Sequence, residues 1–184
     1  MRISSKEVFT VANGMSATGG LLAVHGAPRI DTFWGLCEVI AARILDLGDG
    51  PYARMTGTTS EFGAAVDATI DKIASVAIVA SEWNKNIAPK PALAAIVAQN
   101  AANAAATAVT KIRHPEADLS PTRDGKNALF IQNVALGSYA IANLLEEDSR
   151  SHSAFRIFGH TAVGVGVGYF GLKATFAYLK RAAD

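Results

Sequence analysis

An all-α fold, built as a polytopic membrane bundle of about six transmembrane helices, is what this sequence predicts. Half of its 184 residues are hydrophobic and only 18% are charged. The apolar stretches are long, and several approach the ~20 residues a helix needs to cross a bilayer. Within and between them, polar residues recur at three- and four-residue intervals, the helical period.

Six segments carry that prediction. Segment 8–24 is rich in small residues and interrupted by Asn13 and Ser16. Arg2 and Lys6 precede it, but it has no clean small-residue cleavage site, so it reads as an entering helix rather than a secretory signal. Segment 30–45 is apolar apart from Asp31, Glu38 and Arg43, the last two expected to pair or to face a polar crevice. Segment 63–80 is the third. Pro89 and Pro91 punctuate the loop before 91–109, whose polar members are Gln99, Asn100, Asn103 and Thr107. Asn100 and Asn103 would line a polar cavity or bond between helices. The alanines of 101–108 suit close helix packing. A polar break at 111–126, with Pro115, Pro121 and Gly125, leads to 128–145, and 160–179 is last. Residues 163–168 alternate Val and Gly like a strand, but inside an apolar run Gly164-xxx-Gly168 reads as a small-residue contact between helices, within the chain or across a dimer. No linker separates the segments, so 1–184 reads as a single domain.

Charge fits the same topology. With both ends inside, Arg54, Lys111, Arg113, Arg123, Lys126, Lys180 and Arg181 fall with Arg2 and Lys6 on the cytoplasmic side. Mean hydropathy, at +0.22, is modest, so a soluble alanine-rich bundle is the alternative. The formal net charge of +1 points away from nucleic acid as a partner. Cys37 is the only cysteine, which excludes an intrachain disulfide and a cysteine-built zinc site. The four histidines lack metal-ligand spacing and are expected to serve local packing.

The chemistry is concentrated in 46–71, which reads Asp46-x2-Asp49-Gly50-x2-Ala53-Arg54-x8-Gly63-x3-Asp67-x3-Asp71. Asp46 and Asp49 share one face of one helix. Gly63, Asp67 and Asp71 share a face of the next, after a short turn at 55–60. Folding one helix on the other would bring four carboxylates toward one point, which is unfavourable unless a cation fills it. Mg2+ or Mn2+, which prefer oxygen ligands, are the natural candidates. Arg54 offers a permanently charged fork suited to phosphate oxygens. Gly50 and Gly63, with Ala53, permit close approach of backbone to a nucleotide or to a neighbouring helix. Gly48, Gly50 and Pro51 predict a locally irregular helix here.

This pattern resembles the signature of the CDP-alcohol phosphatidyltransferase family, with every fixed position present. The resemblance implies an integral membrane enzyme, its site near the cytoplasmic face, that moves a phosphatidyl group from CDP-diacylglycerol or a related CDP-lipid to a small alcohol and releases CMP. It implies two divalent ions held by Asp46, Asp49 and Asp67, with Asp71 near the second and acting as general base on the acceptor hydroxyl. Lys72 could instead be a helix-side partner of Asp71. Gly50, Ala53, Arg54 and Gly63 would bind the CDP-lipid, and the enzyme would be a homodimer. Family members often carry Pro-Asn followed by Thr or Ser near the start; Ala12-Asn13 and Ser16 match that in part.

For the acceptor, Arg113, Arg123 and Lys126 could hold the phosphate of glycerol 3-phosphate, the first expectation, or of an inositol phosphate, the second. They would equally suit a cytoplasmic loop touching anionic headgroups. Gln132 stands where a Gly-Lys-x-x-Thr-x-x-Gln pattern of phosphatidylglycerophosphate synthases would place it, although Leu129 replaces the Thr. Two rival readings are a soluble Mg2+-dependent diphosphate enzyme using Asp46-x2-Asp49, and a catalytically silent membrane protein that binds nucleotide-lipids or scaffolds a partner.

Overall fold

A computed structural model describes residues 10–117 and 120–183, except for the side chains of residues 61, 62, 64, 65 and 68. Arg2, Lys6 and the start of segment 8–24 lie outside the described residues. Among those described the chain is helical without a strand, so the Val-Gly alternation of 163–168 is indeed helical. It divides into two compact units, Met1–Lys85 and Asn86–Asp184.

The first unit holds α1 (Val11–Gly26), a 3-10 turn (Ala27–Arg29), α2 (Phe33–Thr56) and α3 (Glu61–Lys85). Hydroxyl caps start the first two: Thr10 accepts from the Asn13 amide at 3.1 Å and Thr32 from that of Gly35 at 3.1 Å. The buried face of α1 is Ala12, Ser16, Gly19, Ala23 and Gly26, small residues at alternating four- and three-residue steps. Such a face lets neighbouring backbones come close. Accordingly α1 packs on both α2 and α3, and Ala23, Ala42 and Ala74 form a core cluster contributed by all three. The motif helices are therefore not simply folded on each other, since α1 is their shared partner.

Contrary to the predicted irregularity, α2 runs unbroken from Phe33 to Thr56 with Pro51 inside it. A proline lacks the N–H donor, and the helix absorbs that loss without ending. It stops at Gly57, whose φ of 65° is left-handed, with the Thr58 amide reaching back to the Ala53 carbonyl at 3.0 Å. Ser60 then accepts from the Gly63 amide at 2.9 Å and opens the next helix.

The second unit holds α4 (Lys90–Arg113), α5 (Arg123–Asn143), α6 (Arg150–Val163), a π-helical stretch (Gly164–Gly171) and α7 (Leu172–Ala183). The last three form one continuous rod, and α5 packs on its first half while α4 packs on α7. Among the described residues, two helices are long and apolar enough to cross a membrane, Lys90–Arg113 and Arg150–Ala183. Segments 30–45, 63–80 and 128–145 also form helices but are not among these two: 63–80 carries Asp67, Asp71 and Lys72, and the helix over 128–145 ends at Asn143.

Among the described residues, the Gly164-xxx-Gly168 pair makes no contact within the chain. A Cβ on either glycine would meet nothing within 4 Å, whereas one on Gly166 would crowd Ile131 and Gln132. One on Gly171 would press on the Gly166 carbonyl and Gln99. In this π-helical stretch, where hydrogen bonds close at five residues, the crowded glycines are five apart. Asn100 and Asn103 bond between helices: the Asn100 amide donates to Gln132 at 2.8 Å, and Asn103 accepts from Thr175 at 2.7 Å.

Candidate active site

The site lies in the first unit, where α1, α2 and α3 meet. Asp46 and Asp49 project from α2, Asp67 and Asp71 from α3, and the carboxyl groups fall within each other's electrostatic range. Asp49, only 4% exposed, accepts a 2.5 Å hydrogen bond from the Ser16 hydroxyl of α1. Asp67 lies close enough to Asp49 for the two carboxyl groups to interact, while its Oδ1 is buried with no partner. A cleft beside them is lined by Ser16, Gly19, Gly20, Arg43, Asp46 and Asp71.

Arg43 is the residue that sequence reasoning undervalued. Its Nη1 lies 2.5 Å from Asp71 Oδ1, and its Nη2 donates to Ser75 Oγ at 2.9 Å. Glu38 and Arg43 do not pair with each other. Glu38 instead takes Arg29 at 2.8 Å and His25 at 2.9 Å. Lys72 is exposed, so Asp71 finds its partner across the helices rather than along its own. The available signal was spacing: Arg43 stands three residues before Asp46 and so shares its face. Ser16 carried a signal too, as half of the partial match near the start.

The glycines and arginine of the motif sort by what they touch. Asp46, Gly50 and Arg54 follow one another at four-residue steps, and a Cβ on Gly50 would lie 3.4 Å from Arg54 Nη1. Gly50 thus leaves Arg54 at ordinary contact distance, and Arg54 is exposed. A Cβ on Gly63 would come 2.8 Å from Asn13 Oδ1, so this glycine admits α1. Ala53 is half-buried on the same helix.

Among the described residues no three acidic, histidine or cysteine side chains form a ready-made cation cage. The donor set nevertheless fits a divalent, oxygen-preferring ion. Two carboxylates are pressed together, and a buried carboxylate oxygen has nothing to bind, a costly state that a cation relieves.

The acceptor candidates lie in the second unit. Arg113 ends α4 and donates to the Ala182 carbonyl at 3.2 Å, so part of its fork is already used. Arg123 and Lys126 are exposed on the first turn of α5, which Thr122 caps. Tyr178 joins the same corner by accepting from the Thr122 amide at 3.1 Å. Gln132 is buried between Gln99, at 2.5 Å, and Asn100, and serves the core.

The sequence model of the CDP-alcohol phosphatidyltransferase family matches residues 7–169, and the chain belongs to that family. The family is membrane-associated and generally dependent on a divalent metal. Over 74 residues the chain is 35% identical to a phosphatidylinositol phosphate synthase of Streptomyces avermitilis; the match covers 40% of this chain and 30% of that protein. No solved structure matches.

Proposed function

We propose that this protein transfers a phosphatidyl group from CDP-diacylglycerol to a phosphorylated alcohol and releases CMP. The observation that carries the reading is the convergence of Asp46, Asp49, Asp67 and Asp71 from two helices, with a buried Asp67 oxygen unpartnered. Asp46, Asp49 and Asp67 would hold the first divalent ion and Asp71 would reach a second. When bound, such ions offset the charge of the pyrophosphate and ease the departure of CMP. Gly50, Ala53, Arg54 and Gly63 shape and charge the CDP-lipid position, with Arg54 directed to phosphate oxygens. Asp71 takes the proton of the acceptor hydroxyl as its oxygen bonds to the lipid-side phosphorus. The bond from that phosphorus to the bridging oxygen breaks, and its electron pair leaves with CMP.

Inositol phosphate now stands ahead of glycerol 3-phosphate as acceptor, because the relative is a phosphatidylinositol phosphate synthase. Arg123 and Lys126 are the better acceptor-phosphate candidates, since Arg113 already serves a carbonyl. A single catalytic domain is supported by the family match running through both compact units. Insertion in a bilayer, near the cytoplasmic face for the site, and assembly as a homodimer belong to the same proposal.

The test is CMP release by purified protein in detergent with Mg2+, supplying inositol phosphate, glycerol 3-phosphate, inositol and serine one at a time. Release with inositol phosphate alone, lowered at least ~100-fold in Asp71→Asn, is the expected result. Silence with all four acceptors from folded protein sinks the reading.

A further inference from the structure

We propose that Arg43 is the internal counter-cation of the aspartate cluster, a positioning residue that holds Asp71 and must yield it for a second divalent ion to bind. The inference rests on the catalytic reading above and deepens it. Four observations carry it. Arg43 pairs end-on with Asp71, at 2.5 Å, through one nitrogen only. Its other terminal nitrogen is anchored 2.9 Å away on Ser75, one helical turn beyond Asp71. Its Nε is buried without a partner, so the guanidinium is committed to α3 yet incompletely satisfied. Asp46 also lies within its electrostatic range, and both line the same cleft.

A guanidinium brought to a carboxylate cluster supplies the positive charge a metal would otherwise supply. Engaged on Oδ1, Asp71 is withheld from Asp46, Asp49 and Asp67, which agrees with the lack of a ready cage among the described residues. Binding a second ion then becomes an exchange, in which the ion takes Asp71 and Arg43 swings away on its Ser75 anchor. Until the exchange the pair keeps Asp71 in one rotamer, and the competing guanidinium, which stays beside the cleft, limits how tightly the ion is held.

The experiment is thermal unfolding of the detergent-purified chain against Mg2+ concentration, without substrate, for wild type, Arg43→Gln and Arg43→Lys. A ligand that binds only the folded state raises Tm according to its affinity. Arg43→Gln is expected to unfold earlier in EDTA, to gain more from Mg2+, and to half-saturate at least about threefold lower in Mg2+. Its kcat for CMP release should fall about tenfold with KM for CDP-diacylglycerol unchanged, because Asp71 is no longer placed. Arg43→Lys should restore part of both effects. An unchanged or weaker Mg2+ response in Arg43→Gln overturns the inference. So does a rise in KM alone, which would mean that Arg43 grips the substrate. Should Arg43→Gln fail to fold, Ser75→Ala keeps the charge and frees the anchor. It should shift the Mg2+ response the same way by a smaller factor, and no shift overturns the inference. A wild type that neither responds to Mg2+ nor releases CMP defeats the catalytic reading itself, whereas an active wild type with indifferent variants defeats only the role of Arg43.

Discussion

At the scale of single residues, the carboxylates of the site differ in how they are satisfied. Asp49 is nearly sealed from solvent and depends on the Ser16 hydroxyl, while Asp67 has one oxygen with nothing to bind. A carboxylate in that position is stable only with donors or a cation beside it. Ser16→Ala should therefore cost ~1–3 kcal/mol in metal-free protein, since it removes a hydrogen bond to a charged group. Adding Mg2+ should recover part of the loss, because the ion takes over the task of the hydroxyl. Unfolding of wild type and variant with EDTA and with Mg2+ reads both terms. An equal loss under the two conditions would place Asp49 outside the ion's reach. That Asp46 and Asp49 share a face of one helix, and Asp67 and Asp71 a face of the next, was legible from spacing, because three- and four-residue intervals leave a helix little choice of face; that the two pairs meet depends on helix packing. Ser16 and Arg43 were harder to read. Their roles depend on which helix packs on which, and sequence spacing says nothing of that.

At the scale of elements, helix positions were legible and helix details were not. Prolines located the start of α4, with Pro91 seated in its first turn, whereas hydropathy placed the last segment at 160–179 although its rod begins at Arg150. The π-helical stretch was hidden. Gly-rich sequence announces close packing but not whether the repeat closes at four residues or five, and the inward set became Gly166 and Gly171. The same stretch delivers the Gly171 carbonyl to Gln99, whose amide donates at 3.5 Å, and to the Thr175 hydroxyl at 2.9 Å. Gln132 and Gln99 are thus links in a polar chain that ties α4, α5 and the rod together. Breaking one link strands the others in the interior. Gln132→Leu should lower stability by ~1–3 kcal/mol through the unpaired Gln99 and Asn100 groups. Its effect on Mg2+ half-saturation should be nil, because Gln132 belongs to the second unit's core. Tm falling with unchanged Mg2+ dependence is the expected pair of results. A variant of full stability would show that water, rather than Gln132, satisfies those amides.

At the scale of the whole molecule, the surface decides the environment. Large apolar side chains stand open on most helices, among them Leu21 at 74%, Trp34 at 74%, Ile112 at 80% and Phe176 at 70% exposed. In the two longest apolar helices only 22% and 28% of the apolar window is buried inside the structure. A water-soluble bundle would turn such faces inward, since exposed apolar patches of this extent invite association. A bilayer would remove the difficulty, and it would suit an interior in which small residues and side-chain amides stand beside Ile30, Ile87, Leu93 and Tyr139. In lipid, burial of Leu or Phe gains little, so helices associate through close backbone approach and interhelical hydrogen bonds. The buried faces of α1, with its alanines, glycines and Ser16, and of α5, with Gln132 and Ser138, are built that way. Both compact units are therefore expected to remain with membranes when these are washed in alkaline carbonate, and to require detergent for release. Full recovery in the carbonate supernatant would return the soluble bundle to favour. It would also leave the exposed apolar faces needing protein partners in place of lipid.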